Sequence, residues 1–484
     1  MKPSKVLLFL LTVFAILLLV MLIFPKDGIK ITKQFTLRFC SVDELFSTPK
    51  SNYADISTLI KEVAKDTSKV NSKDEVSLDS ILVEADSLRK IIRQLEYPHN
   101  DSTLLYAFFK GLTENKDLVR IVHYGDSQIE GDRVTSYFRN RMQAKFGGSG
   151  MGMFAVVEAN NGSTSIQKSY SDNWNRYTLF GRKNASLLHK HFGALLSYSR
   201  FTYQLKDSMS NDSTMHEAWI NLKKSSNAFA LARKYSQCKL IYGYNKKTVA
   251  LECYKNDSLF KTETLHASND YQILTYNFEN TPNDITFKFK GKDSPNIFAI
   301  SLDDTKGIAV DNVPLRGSSG LDFTRSDLSL LKRMYDEMNV KMVILQFGVN
   351  VAPNIVSDYT FYENWFYSQL KAIKRICPDM AIVVIGISDM SRKTGNSYES
   401  FPNIEKIRDA QKKAAFKANC AFWDLYQAMG GKNSMPSWVL AKPSLASKDF
   451  THFNYNGAKI VSEMFSNAFL NEYYQYLINN QKKK

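Results

Sequence analysis

Ser127 lies in IVHYGDSQIEGDR, where an apolar run of Leu118, Val119, Ile121 and Val122 breaks at Gly125-Asp126-Ser127 before a helix-like segment. A strand that turns into a helix there sets a hydroxyl at the carboxyl edge of a sheet. The first amides of the helix then face any anion that forms. A serine hydroxyl is a weak nucleophile until a base takes its proton, and the base needs an acid to hold its tautomer and stabilise its charged form. More than about 300 residues downstream, KDFTHFNYNGA supplies both from one loop, with Asp449 and His452 three apart. GDS alone recurs by chance and usually marks an ordinary turn or helix cap. Paired with Asp-x-x-His, it describes attack of a hydroxyl on a carbonyl carbon, with His452 carrying the proton and Asp449 orienting it.

The elements that must position these groups alternate between strands and helices. Leu118–Val122, GIAVDNVPL (307–315), VKMVILQF, MAIVVIGI and CAFWDLYQAM read as buried strands. Between them DLSLLKRMYDEM, SDYTFYENWFYSQLKAIKRIC and NIEKIRDAQKKAAFKANC read as helices, and AKIVSEMFSNAFLNEYYQYL closes the chain as another. Such alternation predicts an α/β unit with a parallel sheet covered on both faces. Its active groups belong on loops at the carboxyl ends of the strands. Two more polar loops fall at such ends: LRGSSG (Gly317, Gly320) and ILQFGVNVAP (Gly348, Asn350).

Ser127, Gly320, Asn350 and His452, in this chain order, resemble the four blocks of the SGNH, or GDSL-type, esterase superfamily. The resemblance covers roughly residues 118–147 and 306–470. It implies a flavodoxin-like sheet, Ser127, Asp449 and His452 as catalytic residues, and an oxyanion hole. That hole would be built from the backbone N–H of Ser127 and Gly320 and the side-chain amide of Asn350, with Gly317 as the fallback for Gly320. Glycine suits that position because the backbone must approach the substrate with no Cβ in the way. Three residues depart from the family pattern: Gln128 where Leu is common, Val351 after the oxyanion Asn where Asp is common, and Leu315 where Asn is frequent. Asp126 reads as support of the turn, and Glu130, Asp132 and Arg133 as helix-surface groups or groups behind the nucleophile. His123 reads as a satisfied core histidine.

Ser127 and Gly320 are roughly two hundred residues apart, where a strand-helix-strand step needs a few tens. A domain is therefore inserted over 155–305. Its short alternating runs, among them RFTYQL, HEAWINL, CKLIYGY, TVALECY and ITFKFKG, predict an antiparallel β-sandwich. Tyr170, Trp174, Tyr177 and Trp219 are candidates for stacking on sugar rings, with core packing as the alternative for each. An esterase interrupted by a carbohydrate-binding-like sandwich resembles the peptidoglycan O-acetylesterase branch of the superfamily. The glycine-rich FGGSGMGMF (Gly147, Gly148, Gly150, Gly152) lacks the Lys-Ser/Thr ending of a phosphate loop and reads as a flexible wall beside the site.

Residues 6–24 are a continuous apolar run after Lys2 and Lys5, just long enough to cross a bilayer. No small-residue cleavage site follows, so residues 1–26 read as a cytoplasmic tip and uncleaved signal anchor. Residues 27–115 read as a juxtamembrane segment and helical stalk, with Ile81, Ala85, Leu88, Ile92 and Leu95 at 4-3-4-3 spacing. The two parts of the α/β unit are 116–154 and 306–484. A net charge of +15 is spread along the chain, and no nucleic-acid signature accompanies it. Five scattered cysteines define no disulfide framework, although Cys238 and Cys253 could pair. His189-x-His191 is the nearest approach to a metal motif and reads as alternation on a sandwich strand.

These readings converge on a membrane-anchored, extracytoplasmic serine esterase acting on an acetylated envelope polysaccharide, probed first as peptidoglycan. It needs no cofactor, no metal and no nucleic-acid partner. An acetyltransferase using the same acyl-serine is the alternative within enzymes, and an inactive glycan-binding scaffold the alternative outside them. An intact triad argues against the scaffold.

Overall fold

The computed structural model describes residues 3–25, 28–32, 36–37, 39, 53–66, 93–114, 117–160, 162–181, 189–203 and 214–481. They form two compact units: Met1–Tyr53 with Lys393–Glu399, and Ala54–Arg392 with Ser400–Lys484. In the first, the helix Pro3–Ile23 has a mean hydropathy of 3.4 and no buried residue. At 1.5 Å per residue it is about 30 Å long, the thickness of a bilayer core.

The second unit holds a five-stranded parallel sheet of β1 (Leu118–Gly125), β2 (Gly307–Pro314), β3 (Val340–Gln346), β4 (Ala381–Ile385) and β5 (Ala421–Trp423). Its spatial order is β2-β1-β3-β4-β5. Gly125 pairs with Pro314 on one side and Gln346 on the other. All eight residues of β1 are buried, which is why that strand reads as an unbroken apolar run rather than an alternation. Val122 and Tyr124 face the cluster formed with α2 (Leu328–Glu337), α3 (Thr360–Ile376) and α4 (Ile404–Lys417). On the other face, α1 (Thr135–Phe146) and α5 (Tyr455–Gln481) lock together through Phe138, Phe465 and Phe469. Trp423 of β5 packs on Phe465. The outer edge of β5 is covered by an antiparallel bridge between Glu96 and Phe422, which blunts an open strand edge.

The insert is a two-sheet sandwich. One sheet runs Ser258–Leu265, Val249–Lys255, Asp284–Gly291, His216–Lys224, Ile166–Tyr170. The other runs Tyr271–Asn277, Gln237–Gly243, Asn296–Asp303, Ser197–Arg200, Asn175–Thr178, all pairings antiparallel. Gly152–Phe154 also pairs with Asn296–Asp303, so the sandwich starts three residues before the boundary expected from composition. The outer face of this second sheet belongs to the core of the α/β unit: Tyr177, Tyr198, Ile241 and Phe298 cluster with Val313, Leu315, Phe323 and Met334.

Several details differ from the sequence reading. The glycine-rich loop is a packed neck rather than a flexible wall. Ile308 N–H donates to Gly147 O at 3.1 Å and Asp304 N–H to Ser149 O at 3.2 Å. At Gly150, with φ +90, a Cβ would stand 2.1 Å from Leu302 O, so no other residue fits. Cys238 and Cys253 are both buried and free, filling the sandwich core as small apolar groups. His189 and His191 lie in an irregular segment before Ser197–Arg200, their rings stacked and His191 bonded to Asp327. Of the stalk pattern, Ile81, Ala85, Leu88 and Ile92 lie outside the described residues, whereas Leu95 is buried. Asn175–Thr178 and Trp174 place two of the four candidate aromatics inside: Trp174 packs on Phe201 and Phe289, and Tyr177 stacks on Tyr198. Trp219 is 40% exposed on the outer face of its sheet.

Candidate active site

After β1 the chain passes Asp126 and enters a 3-10 turn, Ser127–Asp132. The Asp126 carboxylate accepts from Gln128 N–H at 3.0 Å, capping the turn. The Ser127 amide begins the turn and so has no partner within it. Burial pushes the Asp126 carboxyl up to about 6, against the Gln128 amide, the field of His452 and the Val349 and Gly348 amides.

Ser127 Oγ lies 2.7 Å from His452 Nε2, and His452 Nδ1 lies 2.7 Å from Asp449 Oδ2. The other Asp449 oxygen accepts from the amides of Thr451 and His452, each at 3.0 Å. Burial opposes the Asp449 charge. The hydrogen bonds from the His452 ring and from the His452 and Thr451 amides outweigh it and hold the carboxyl down to about 2. With Asp449 ionised, Nδ1 carries the ring proton toward it, which leaves Nε2 to accept from the Ser127 hydroxyl. The line can move a proton off Ser127 and return it to a leaving group.

The structure also shows how two loops 325 residues apart stay in register. Gln128 Nε2 donates to Thr451 O at 2.7 Å and to Ser388 Oγ at 3.0 Å, while its Oε1 accepts from Phe453 N–H at 3.3 Å. Arg133 donates to Ser127 O at 2.5 Å and to Phe453 O at 3.1 Å. Both side chains clamp the His452 loop against the serine turn. The departure from Leu at 128 thus ties the two loops together, and Arg133 does so from behind the nucleophile. A buried glutamine where a family has leucine was the signal, because a buried amide demands partners.

The two remaining motif residues meet at Ser318. Asn350 Nδ2 donates to Ser318 O at 2.9 Å, and Gly320 N–H donates to Ser318 Oγ at 3.0 Å. Ser318 Oγ in turn donates to Asp322 at 2.6 Å. One Asn350 N–H is thus anchored and the other is available, whereas the Gly320 amide is shared with a hydroxyl. Glycine at 320 is required by packing: at φ +76 a Cβ would stand 2.7 Å from the Phe347 ring. At Gly317 a Cβ would meet open space.

His123 bonds Thr135 through Nδ1 at 3.0 Å beneath the site. Burial pushes its pKa down to about 3, against a bond to Gln346 and with the Arg139 charge reinforcing the shift, so the ring is neutral. Among the described residues, no three His, Cys, Asp or Glu side chains are arranged to hold a metal ion.

No family model and no curated protein matches the chain. Solved structures do. A peptidoglycan O-acetylesterase superposes with a TM-score of 0.59 over 80% of this chain and 99% of its own, at 18% identity. A GDSL-like lipase from Parabacteroides merdae gives 0.25 over 34% of this chain and 74% of its own, at 17% identity. An acetyl xylan esterase gives 0.24 over 33% and 79%, at 16%. The first superposition takes in four-fifths of this chain and nearly all of the other, so the two share a fold, here a parallel α/β sheet carrying an inserted β domain.

Proposed function

We propose that the chain is a serine esterase that removes O-acetyl groups from an envelope polysaccharide, peptidoglycan foremost, through an acyl-serine intermediate. The carrying observation is the unbroken line Ser127–His452–Asp449, 2.7 Å at each step, at the carboxyl edge of the sheet. The fold shared with a peptidoglycan O-acetylesterase supports the choice of polymer.

Ser127 Oγ attacks the acetyl carbon as its proton passes to His452 Nε2, and the imidazolium gives that proton to the departing sugar hydroxyl. Water then attacks the acetyl carbon as it loses a proton to His452, the bond from that carbon to Ser127 Oγ breaks, and His452 returns the proton to Ser127 as acetate leaves. The oxyanion of each tetrahedral state is received by the Ser127 amide, the free Asn350 N–H and the shared Gly320 N–H. Asn350→Ala is expected to lower kcat about 10²- to 10³-fold with KM little moved, as for other single oxyanion donors. A fall below about tenfold would take Asn350 out of that role.

Polymer is held by the sandwich through Trp219, the most exposed of the four candidate aromatics. Lys288 pairs opposite it across the strands, and the Lys288 ammonium lies over the Tyr254 ring at 4.4 Å. Trp219→Ala is expected to reduce co-sedimentation with insoluble peptidoglycan several-fold; undiminished retention would remove this face from glycan binding. The helix Pro3–Ile23 anchors the chain, with the second unit outside the cytoplasm. The direct test is acetate release from O-acetylated peptidoglycan by protein lacking residues 1–24. Turnover of 4-nitrophenyl acetate without release from the polymer would keep the esterase and discard the substrate.

A further inference from the structure

The apolar helix Pro3–Ile23 runs directly into a small ribbon. Phe24 N–H still donates to Val20 O at 2.9 Å, and Gly28 N–H then closes a turn on Pro25 O at 2.9 Å. Two antiparallel strands follow, Ile29–Lys30 against Thr36–Leu37. The Phe39 ring, two residues past the second strand, returns to the Phe24 ring with 5.9 Å between centroids. That contact holds the ribbon at the end of the helix, within one compact unit.

Directly opposed residues of an antiparallel pair share a face, and neighbours along a strand alternate. Ile29 stands opposite Leu37 and Lys30 opposite Thr36, so one face is apolar and the other polar. All four are exposed. Ile29, Ile31, Leu37 and Phe39 lie between 37% and 58% exposed. Residues 26–38 also carry Lys26, Lys30, Lys33 and Arg38 against Asp27 alone.

A two-stranded ribbon with nothing packed on it is marginal in water. Among the described residues no third strand joins it, and its apolar face is bare. What covers that face must accept apolar side chains and cations together. A lipid surface does both: apolar groups sink into the acyl boundary while lysine and arginine reach the phosphates. The helix brings such a surface to this end of itself, so a protein partner would have to displace lipid already present.

We propose that the ribbon lies in the membrane interface, with Ile29 and Leu37 in the acyl boundary and Lys30 toward the headgroup phosphates. The chain then holds the bilayer by a span and by a foot on its surface. The inference rests on reading Pro3–Ile23 as an anchor and adds a second, peripheral contact to it.

The test uses the full chain in vesicles of phosphatidylethanolamine and phosphatidylglycerol. Cys40→Ser and Cys377→Ser leave only the buried Cys238, Cys253 and Cys420. A nitroxide is then placed on one new cysteine at a time: Ile29→Cys, Lys30→Cys, Thr36→Cys, Leu37→Cys, or Leu11→Cys within the helix. Its relaxation is read with oxygen, which concentrates in lipid, and with a water-soluble nickel chelate. The ratio of oxygen to nickel effect should be severalfold higher at 29 and 37 than at 30 and 36, and highest at 11. Nickel-dominated relaxation at all four ribbon positions, with Leu11→Cys still in lipid, overturns the proposal and leaves the anchor standing. An equal ratio at all four overturns the two-faced placement. Nickel-dominated relaxation at Leu11→Cys as well overturns the anchor, and the ribbon's placement with it.

Discussion

Ser127→Ala is expected to lower kcat for any ester the protein cleaves by about 10⁴- to 10⁶-fold, leaving KM within a few-fold of the wild-type value. At 1.36 kcal/mol for each factor of ten, that is roughly 5–8 kcal/mol of lost transition-state stabilisation. The size follows from the geometry. Ser127 is 8% exposed and its hydroxyl is already hydrogen-bonded to His452, so removing it takes the nucleophile from the one place aligned with the base. His452→Ala should cost a similar factor, and the double variant should be no worse than either single one, because the two residues act as one unit. Steady-state acetate release from 4-nitrophenyl acetate measures all three. A Ser127→Ala protein retaining more than about one hundredth of wild-type kcat would mean that another group attacks the ester.

The second large effect lies away from the chemistry. Arg120, in the middle of the sheet, donates to Asp311 of β2 and to Asp303 at the end of a sandwich strand, both at 2.6 Å, and is fully buried. Burial works against its charge, and the two carboxylates more than offset that, keeping the guanidinium protonated. Arg120→Met would leave two carboxylates, each almost wholly buried, facing one another with no cation. Removing one partner of such a network costs about 3–5 kcal/mol. The thermal midpoint should fall by several degrees. Adding Asp303→Asn and Asp311→Asn to Arg120→Met should recover much of the loss, since a buried ion network and its neutral replacement are often similar in stability. A midpoint for Arg120→Met within a degree of wild type would show that the network bears little of the contact between sandwich and sheet.

These two residues also mark what the sequence could and could not reveal. Ser127 and His452 were legible because each sits in a short local pattern, a strand breaking into a turn and Asp-x-x-His before a helix. The sheet was legible from buried apolar runs alternating with helical periods, and the insert from an interval too long for a crossover. Arg120 gave no such sign: its partners are 183 and 191 residues away, and a lone arginine in an apolar run looks the same whether paired or not. Gln128 and Arg133 escaped for the same reason, since their work is across space rather than along the chain. At Gly320 the structure adds a reason for glycine that the sequence could not show, the Phe347 ring against which a Cβ would press. The four aromatics of the sandwich could be sorted only by burial, which alternation within such short strands leaves open.

The neck between sandwich and sheet bears on how such a chain can change. Its two strands leave and return side by side, with Gly147 bonded to Ile308 and Ser149 to Asp304. A plain turn from α1 to β2 at that point would leave the strand order of the sheet unchanged, so the sandwich interrupts the host without altering its topology. Removing it is a different matter. Tyr177, Tyr198, Ile241 and Phe298 now complete the packing around Val313, Leu315 and Phe323, so deleting the passenger would open the host's own core to water. The insert is thus a dependency of its host, and a change in either face of that shared packing must be met by the other.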